Sequence, residues 1–203
     1  MFKVKKTLIF GALTSLLLIY YSPKVQSSIL IEPAVGYKQE TLKLTHYSQN
    51  TDTYKMNGTV LGLKLGVESA TGVGISLVGE YSSGKASVND ASTLEKPKFT
   101  HTLAGAQLSV SAMNTLKIYL GYAPLNELDI KANTSVNGMK LKGHAYQAGI
   151  MIFPTRSLGL GVQYNIHQFK EISGTTFTNG SDIKTYYDKI DAQDISLNLS
   201  IAL

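Results

Sequence analysis

The chain has no cysteine and no tryptophan, one arginine (Arg156), and only 16% charged residues. Without cysteine there can be no disulfide, no thiolate metal site, no cysteine nucleophile and no lipid-modified cysteine of a lipoprotein. A charged fraction below the ~25% of an ordinary soluble domain argues against a coiled coil and against a disordered chain. A single arginine leaves almost no bidentate reader of phosphate or guanine. The N-terminal apolar run, from Leu8 to about Tyr21, is broken by Gly11, Thr14 and Ser15. It falls short of the ~20 residues that a membrane-spanning helix needs.

Lys3, Lys5 and Lys6 precede that run, and Pro23 and small residues follow it. This is the basic, apolar, small-residue order of a secretory signal. Val25 and Ser27 suit the third and first positions before a cut, so residues 1–27 read as a cleavable signal peptide and 28–203 as one domain. Four of the 19 basic residues and none of the 14 acidic ones lie in the signal, so the formal charge of +5 falls to +1 without it. A remainder so nearly neutral has no polycationic footprint, and no nucleic-acid partner is expected.

What the remainder does have is 18 glycines and 12 tyrosines for the whole chain, set in a pattern of period two, the side-chain period of a strand. Eight runs follow it. Their apolar faces are Ile29 to Tyr37, Leu61 to Val67, Val73 to Tyr81, Ala104 to Val110, Leu116 to Tyr122, Tyr146 to Ile152, Leu158 to Ile166, and Ile195 to Leu203. Tight breaks at 69–72, 112–115 and 154–157 alternate with longer polar stretches at about 46–54, 83–98, 125–143 and 170–188. The layout is a meander of hairpins, short at one end and long at the other, with no second domain.

A greasy face can point into a soluble barrel or out of a membrane one. Here the second face is crowded with small residues, among them Gly36, Gly62, Gly66, Gly74, Gly105, Gly121, Gly149, Gly159 and Gly161. Small residues suit the cramped interior of an eight-stranded barrel and make little sense as a solvated surface. Tyr37, Tyr81, Tyr122, Tyr146 and Tyr164 all fall on the apolar face near the long-loop end. That placement predicts one interfacial aromatic girdle, roughly 20 Å from the short turns and close to the height of an outer-membrane apolar band.

On these runs, turns and tyrosines the chain resembles the small eight-stranded outer-membrane β-barrel proteins, of the type of the OmpA membrane domain and OmpX. The expected fold is all-β: an eight-stranded antiparallel up-and-down transmembrane barrel behind a signal peptide. The resemblance implies a monomer in the Gram-negative outer membrane, surrounded by lipid and lipopolysaccharide. It also implies that the barrel assembly machinery reads the last strand, Ile195 to Leu203, which ends in Leu where the family usually has Phe. No cofactor is implied.

Inside such a barrel the pattern places Glu32, Lys38, Lys64, Glu68, Glu80, Gln107, Lys117, Tyr119, Gln147, Gln163, Asn165 and His167. Both signs of charge occur, so a filled, salt-bridged lumen is the leading expectation and a narrow porin-like pore for ions or small solutes the alternative. A lipid A-modifying enzyme is a further, lesser alternative. It rests on His46-Tyr47-Ser48, with Glu40 on the same face, which is loosely like the His-x-Ser arrangement of the lipid A deacylases. His101 and His144 read as rim or surface residues. Asp182, Asp188, Asp191 and Asp194 read as a solvated acidic stretch running into the last strand, without calcium-loop spacing. No catalytic, cofactor or metal residues are assigned, and the four polar stretches are expected to serve as extracellular loops in a structural or surface-interaction role.

Overall fold

A computed structural model describes residues 27–88, 96–112, 115–132, 138–155, 157–174 and 177–202. The segment read as the signal peptide lies outside these residues except for Ser27, as do Met113, Asn114, Arg156 and Leu203. The strands are β1 (Ser27–His46), β2 (Thr51–Ser69), β3 (Val73–Val88), β4 (Lys98–Ala112), β5 (Leu116–Ile130), β6 (Met139–Ile152), β7 (Leu158–Gly174), β8 (Phe177–Asp182) and β9 (Tyr187–Ile201). Each of β1 to β7 pairs antiparallel with the next. β9 pairs with β7 on one side and β1 on the other, which closes a barrel of eight strands. β8 is a short addition that pairs with the outer end of β7. Closure joins the first and last barrel strands from Ala34 to His46, so over that span neither is left as a free edge.

The first seven alternating runs lie in barrel strands, as does the eighth from Ile195 to Ile201, and the first short break is a tight turn. There the Gly72 N–H donates to the Ser69 carbonyl at 2.8 Å, and Gly72 takes a φ of +82°, a conformation that glycine adopts without steric cost.

The longer stretches differ from their sequence reading. Much of 46–54, 83–98, 125–143 and 170–188 is strand, and the β1–β2 connection shrinks to residues 47–50. The strands continue because the two faces exchange chemistry. Along the lower part of β1, Ile29, Ile31, Val35 and Tyr37 are exposed while Glu32 and Lys38 are buried. Farther out, Leu42 and Leu44 are fully buried and Lys43 is exposed, with no break in the alternation. The same exchange occurs in β2, where Tyr54 and Met56 are buried above exposed Leu61, Leu63 and Leu65. A strand whose apolar face moves from outside to inside at one level is leaving lipid and entering water.

Two strands hide the continuation further, by bulging. In β5 the register shifts between Ala123 and Asn126, so the inward set passes from Lys117, Tyr119 and Ala123 to Asn126, Leu128 and Ile130. In β7 the inward set passes from Phe169 to Ile172 across exposed Lys170 and Glu171. A bulge of this kind adds a residue, and the inward parity changes with it.

Candidate functional site: the polar lumen and its apolar cap

The inward positions of the lower barrel meet at its axis, because eight strands leave a bore just wide enough for side chains. At the short-turn end, Glu32 lies 3.4 Å from Lys64 Nζ and 3.7 Å from Lys117 Nζ, and Lys117 also reaches Glu68 at 3.0 Å. Lys64 sits 4.1 Å above the centre of the Tyr119 ring, a cation–π contact. That ring crosses the bore where Gly149 leaves room, since a Cβ at Gly149 would collide with the phenol.

The chain of contacts continues outward. Tyr119 donates to Gln163 Oε1 at 3.0 Å, and Gln163 Nε2 donates to Glu80 Oε1 at 2.8 Å and to Asn165 Oδ1 at 3.2 Å. Gln107 donates to Gln147 Oε1 at 3.2 Å, and Gln147 in turn reaches Glu80 Oε1 at 3.4 Å. Asn165 Nδ2 donates to Asp194 Oδ1 at 2.9 Å. A cavity of about 10 Å³ remains beside Lys64, Glu80 and Gln163, room for about one water.

Above it is a tighter knot. Lys38 Nζ lies 3.0 Å from Glu40 Oε2, from Asp194 Oδ2 and from His101 Nδ1. His101 Nδ1 is 2.8 Å from Glu40 Oε2, and His167 Nε2 is 2.7 Å from Asp194 Oδ2. Asn126 donates through Nδ2 to the His144 carbonyl at 3.1 Å, so its Oδ1, 2.6 Å from His101 Nε2, must accept a proton from that nitrogen. The two imidazoles lie 4.7 Å apart, and His167 stacks on Phe169.

Over this knot lies an apolar cap inside the outer barrel, built from Leu42, Leu44, Tyr54, Met56, Phe99, Leu128, Ile130, Leu141, Ile172, Ile183 and their neighbours. The cap carries two tyrosines whose phenol pKa is raised, Tyr54 first by burial and then by the Asp52 charge, and Tyr187 by the same two causes.

The structure therefore places Glu32, Lys64, Glu80, Gln107, Lys117, Tyr119, Gln147, Gln163, Asn165 and His167 in one contiguous interior column. Tyr37, Tyr81, Tyr122, Tyr146 and Tyr164 are each between 41% and 48% exposed on the outer wall. Tyr122 and Tyr146 flank His144, with ring centres 5.7 Å from it.

Two residues differ from their sequence reading. His101 is not at the surface but 1% exposed in the knot, and Asp194 leaves the acidic stretch to become one of its buried anions. Extending the inward alternation of β4 from Gln107 through Gly105 and Leu103 arrives at His101, the signal by which it could have been found. His46, Ser48 and Glu40 do not converge. His46 Nε2 pairs with Asp52 at 2.9 Å beside the hairpin tip, whereas Glu40 is committed to Lys38 and His101 in the bore.

No family model matches the chain, and no curated protein matches it. Solved structures do. The Yersinia pestis attachment invasion locus protein Ail superposes with a TM-score of 0.56 at 12% identity, over 87% of this chain and 99% of that one. Ail in complex with the heparin analogue sucrose octasulfate gives a TM-score of 0.54 at 13% identity over the same shares. Neisserial surface protein A gives 0.48 at 14% identity, over 86% and 97%. With its eight antiparallel strands closed on themselves, apolar outside and polar inside, the chain has the fold of the small eight-stranded outer-membrane β-barrels.

Proposed function

We propose that this protein is a non-enzymatic, non-conducting barrel of the bacterial outer membrane that presents its outer wall and hairpin tips for contact with other molecules. One observation carries the reading: the bore is crossed by a continuous run of paired side chains from Glu68 to Asn126 and covered by the apolar cap. A pore needs a wetted path with sites that an ion can enter and leave, and a buried salt-bridged column under leucine and phenylalanine offers none. On this reading residues 1–27 deliver the chain to export, the last strand serves the assembly machinery, the Tyr37 belt meets lipid and lipopolysaccharide headgroups, and the barrel acts as a monomer. Planar-bilayer recording tests it. The expected record is flat, whereas reproducible single-channel steps that change in Lys64→Ala or Glu80→Ala would replace the sealed barrel with a pore.

A further inference from the structure

The lumen beneath the cap has a charge deficit. Among the described residues, the lysines Lys38, Lys64 and Lys117 face the carboxyl groups of Glu32, Glu40, Glu68, Glu80 and Asp194. With every carboxyl ionised and both histidines neutral, the bore is two positive charges short, Glu68 and Glu80 being the two carboxyls that are partly rather than fully buried. An unbalanced charge in such an interior is costly, so the deficit has to be met by protons or by a cation.

The knot has the donors for a cation. One ligand atom each from Glu40, His101, His167 and Asp194 can be chosen so that all four lie within 4.8 Å of one another, and all four residues are buried. Ligands bonded to a tetrahedral ion at about 2.0–2.2 Å stand roughly 3.4 Å apart, so a modest contraction forms the shell. Two further observations bear on the ligand atoms. Glu40 Oε1 and His167 Nδ1 are both buried without a hydrogen-bond partner. His101, held with its Nε2–H on Asn126, has its Nδ1 on the side of Glu40 and Lys38, and Asn165 fixes the far oxygen of Asp194. Outer partners of this kind set ligand tautomer and orientation at metal centres.

We propose that Glu40, His101, His167 and Asp194 form a binding site for one divalent transition-metal ion of the zinc class inside the barrel. Two imidazoles and two carboxylates form a borderline donor set that suits such an ion, and its two charges equal the deficit. Lys38 is the competitor. Its ammonium, 3.0 Å from three of the four residues, holds the position of positive charge and has to withdraw when the metal binds. The apolar cap makes entry slow once the barrel has closed, so loading belongs to folding.

The test uses the barrel refolded in detergent micelles after chelator treatment, with Zn²⁺ or Co²⁺ supplied before or after refolding. The wild type is expected to retain about one ion per chain through gel filtration, more completely when metal is present during refolding. Co²⁺ should give the visible bands of a four-coordinate site. The pair His101→Gln/His167→Gln should bind at least tenfold more weakly, while His46→Gln/His144→Gln, which removes the other two imidazoles, should bind as the wild type does. Lys38→Met should bind more tightly, and Zn²⁺ should raise its unfolding midpoint. Wild-type protein refolded with metal yet holding under a tenth of an ion per chain would overturn the proposal. So would undiminished binding in the folded His101/His167 variant, or no response of Lys38→Met to Zn²⁺. Should the His101/His167 variant not fold, absence of four-coordinate Co²⁺ bands in the wild type overturns it as well.

Discussion

Lys38 of the first barrel strand and Asp194 of the last are ion-paired at 3.0 Å across the seam where the barrel closes. The pair is buried, so each member also neutralises a charge that the lumen could not otherwise tolerate. Removing one partner of a buried pair leaves the other uncompensated, at a cost of about 3–5 kcal/mol. Lys38→Met, which leaves the buried carboxylates of Glu40 and Asp194 both without their cation, is expected to lower metal-free stability by that amount in urea unfolding in micelles. Lys189→Ala, which removes an exposed pair with Asp191, is expected to leave the midpoint unchanged.

The exchange of faces along each strand can be read by placing the same residue at two heights. Leu77 is 68% exposed on the outer wall, four residues below Tyr81 of the girdle, and Leu77→Lys is expected to cost about 2–4 kcal/mol in a bilayer. Thr100 lies above it, opposite Asp129, and Thr100→Lys is expected to fold as the wild type does. Heat-modifiable gel mobility after insertion into vesicles checks both, and equal tolerance at the two positions would mean that no membrane boundary lies between them.

The cap should behave as the core of a water-soluble protein. Leu42 and Leu128 are fully buried in it. Leu42→Ala and Leu128→Ala are each expected to cost about 2–5 kcal/mol, measured by urea unfolding. Leu61→Ala, on the lipid-facing wall, should cost markedly less.

Alkaline pH acts on the cap through Tyr54 and Tyr187. Burial raises both phenols above their ordinary value, so folding favours the protonated form. The contribution is fully present below the unfolded pKa of about 10 and is lost as pH rises through the folded value. Unfolding midpoints are therefore expected to hold through neutral pH and fall above about pH 10, with a smaller fall in Tyr54→Phe/Tyr187→Phe. Ultraviolet titration of the phenolates should show late-ionising tyrosines that the double variant lacks.

The eight strands were legible because Ile29 to Tyr37 and its counterparts alternate without interruption, and lipid on one side with a narrow bore on the other keeps that signal strong. The outer halves were not legible as strand. Above the girdle the apolar residues move to the inner face, as at Leu42 and Leu44, so a search for one continuous greasy stripe ends too early. At Pro124–Leu125 and Lys170–Glu171 the bulges change the parity as well, which imitates the start of a loop. Of the interior column, Glu32, Lys64 and Gln163 were readable from alternation alone. His101 was not, because its distance from the nearest recognised run matched a rim position. The closure of the knot was beyond the sequence, since it depends on which residues of β1, β4, β7 and β9 reach the same height.

A wall of strand where loops were expected also fixes altitude. From Tyr37 to His46 the chain rises by strand geometry, which at ~3.3 Å per residue and a tilt near 45° lifts the first hairpin tip roughly 20 Å above the aromatic belt. The wall is tied on both sides by ladder bonds and filled by the cap, so the tip stands at a constant distance from the bilayer instead of sweeping over it. Whatever meets Tyr47 or Ser48 does so in water, beyond the reach of the acyl chains, on a stiff spacer whose length is set by the number of residues in β1.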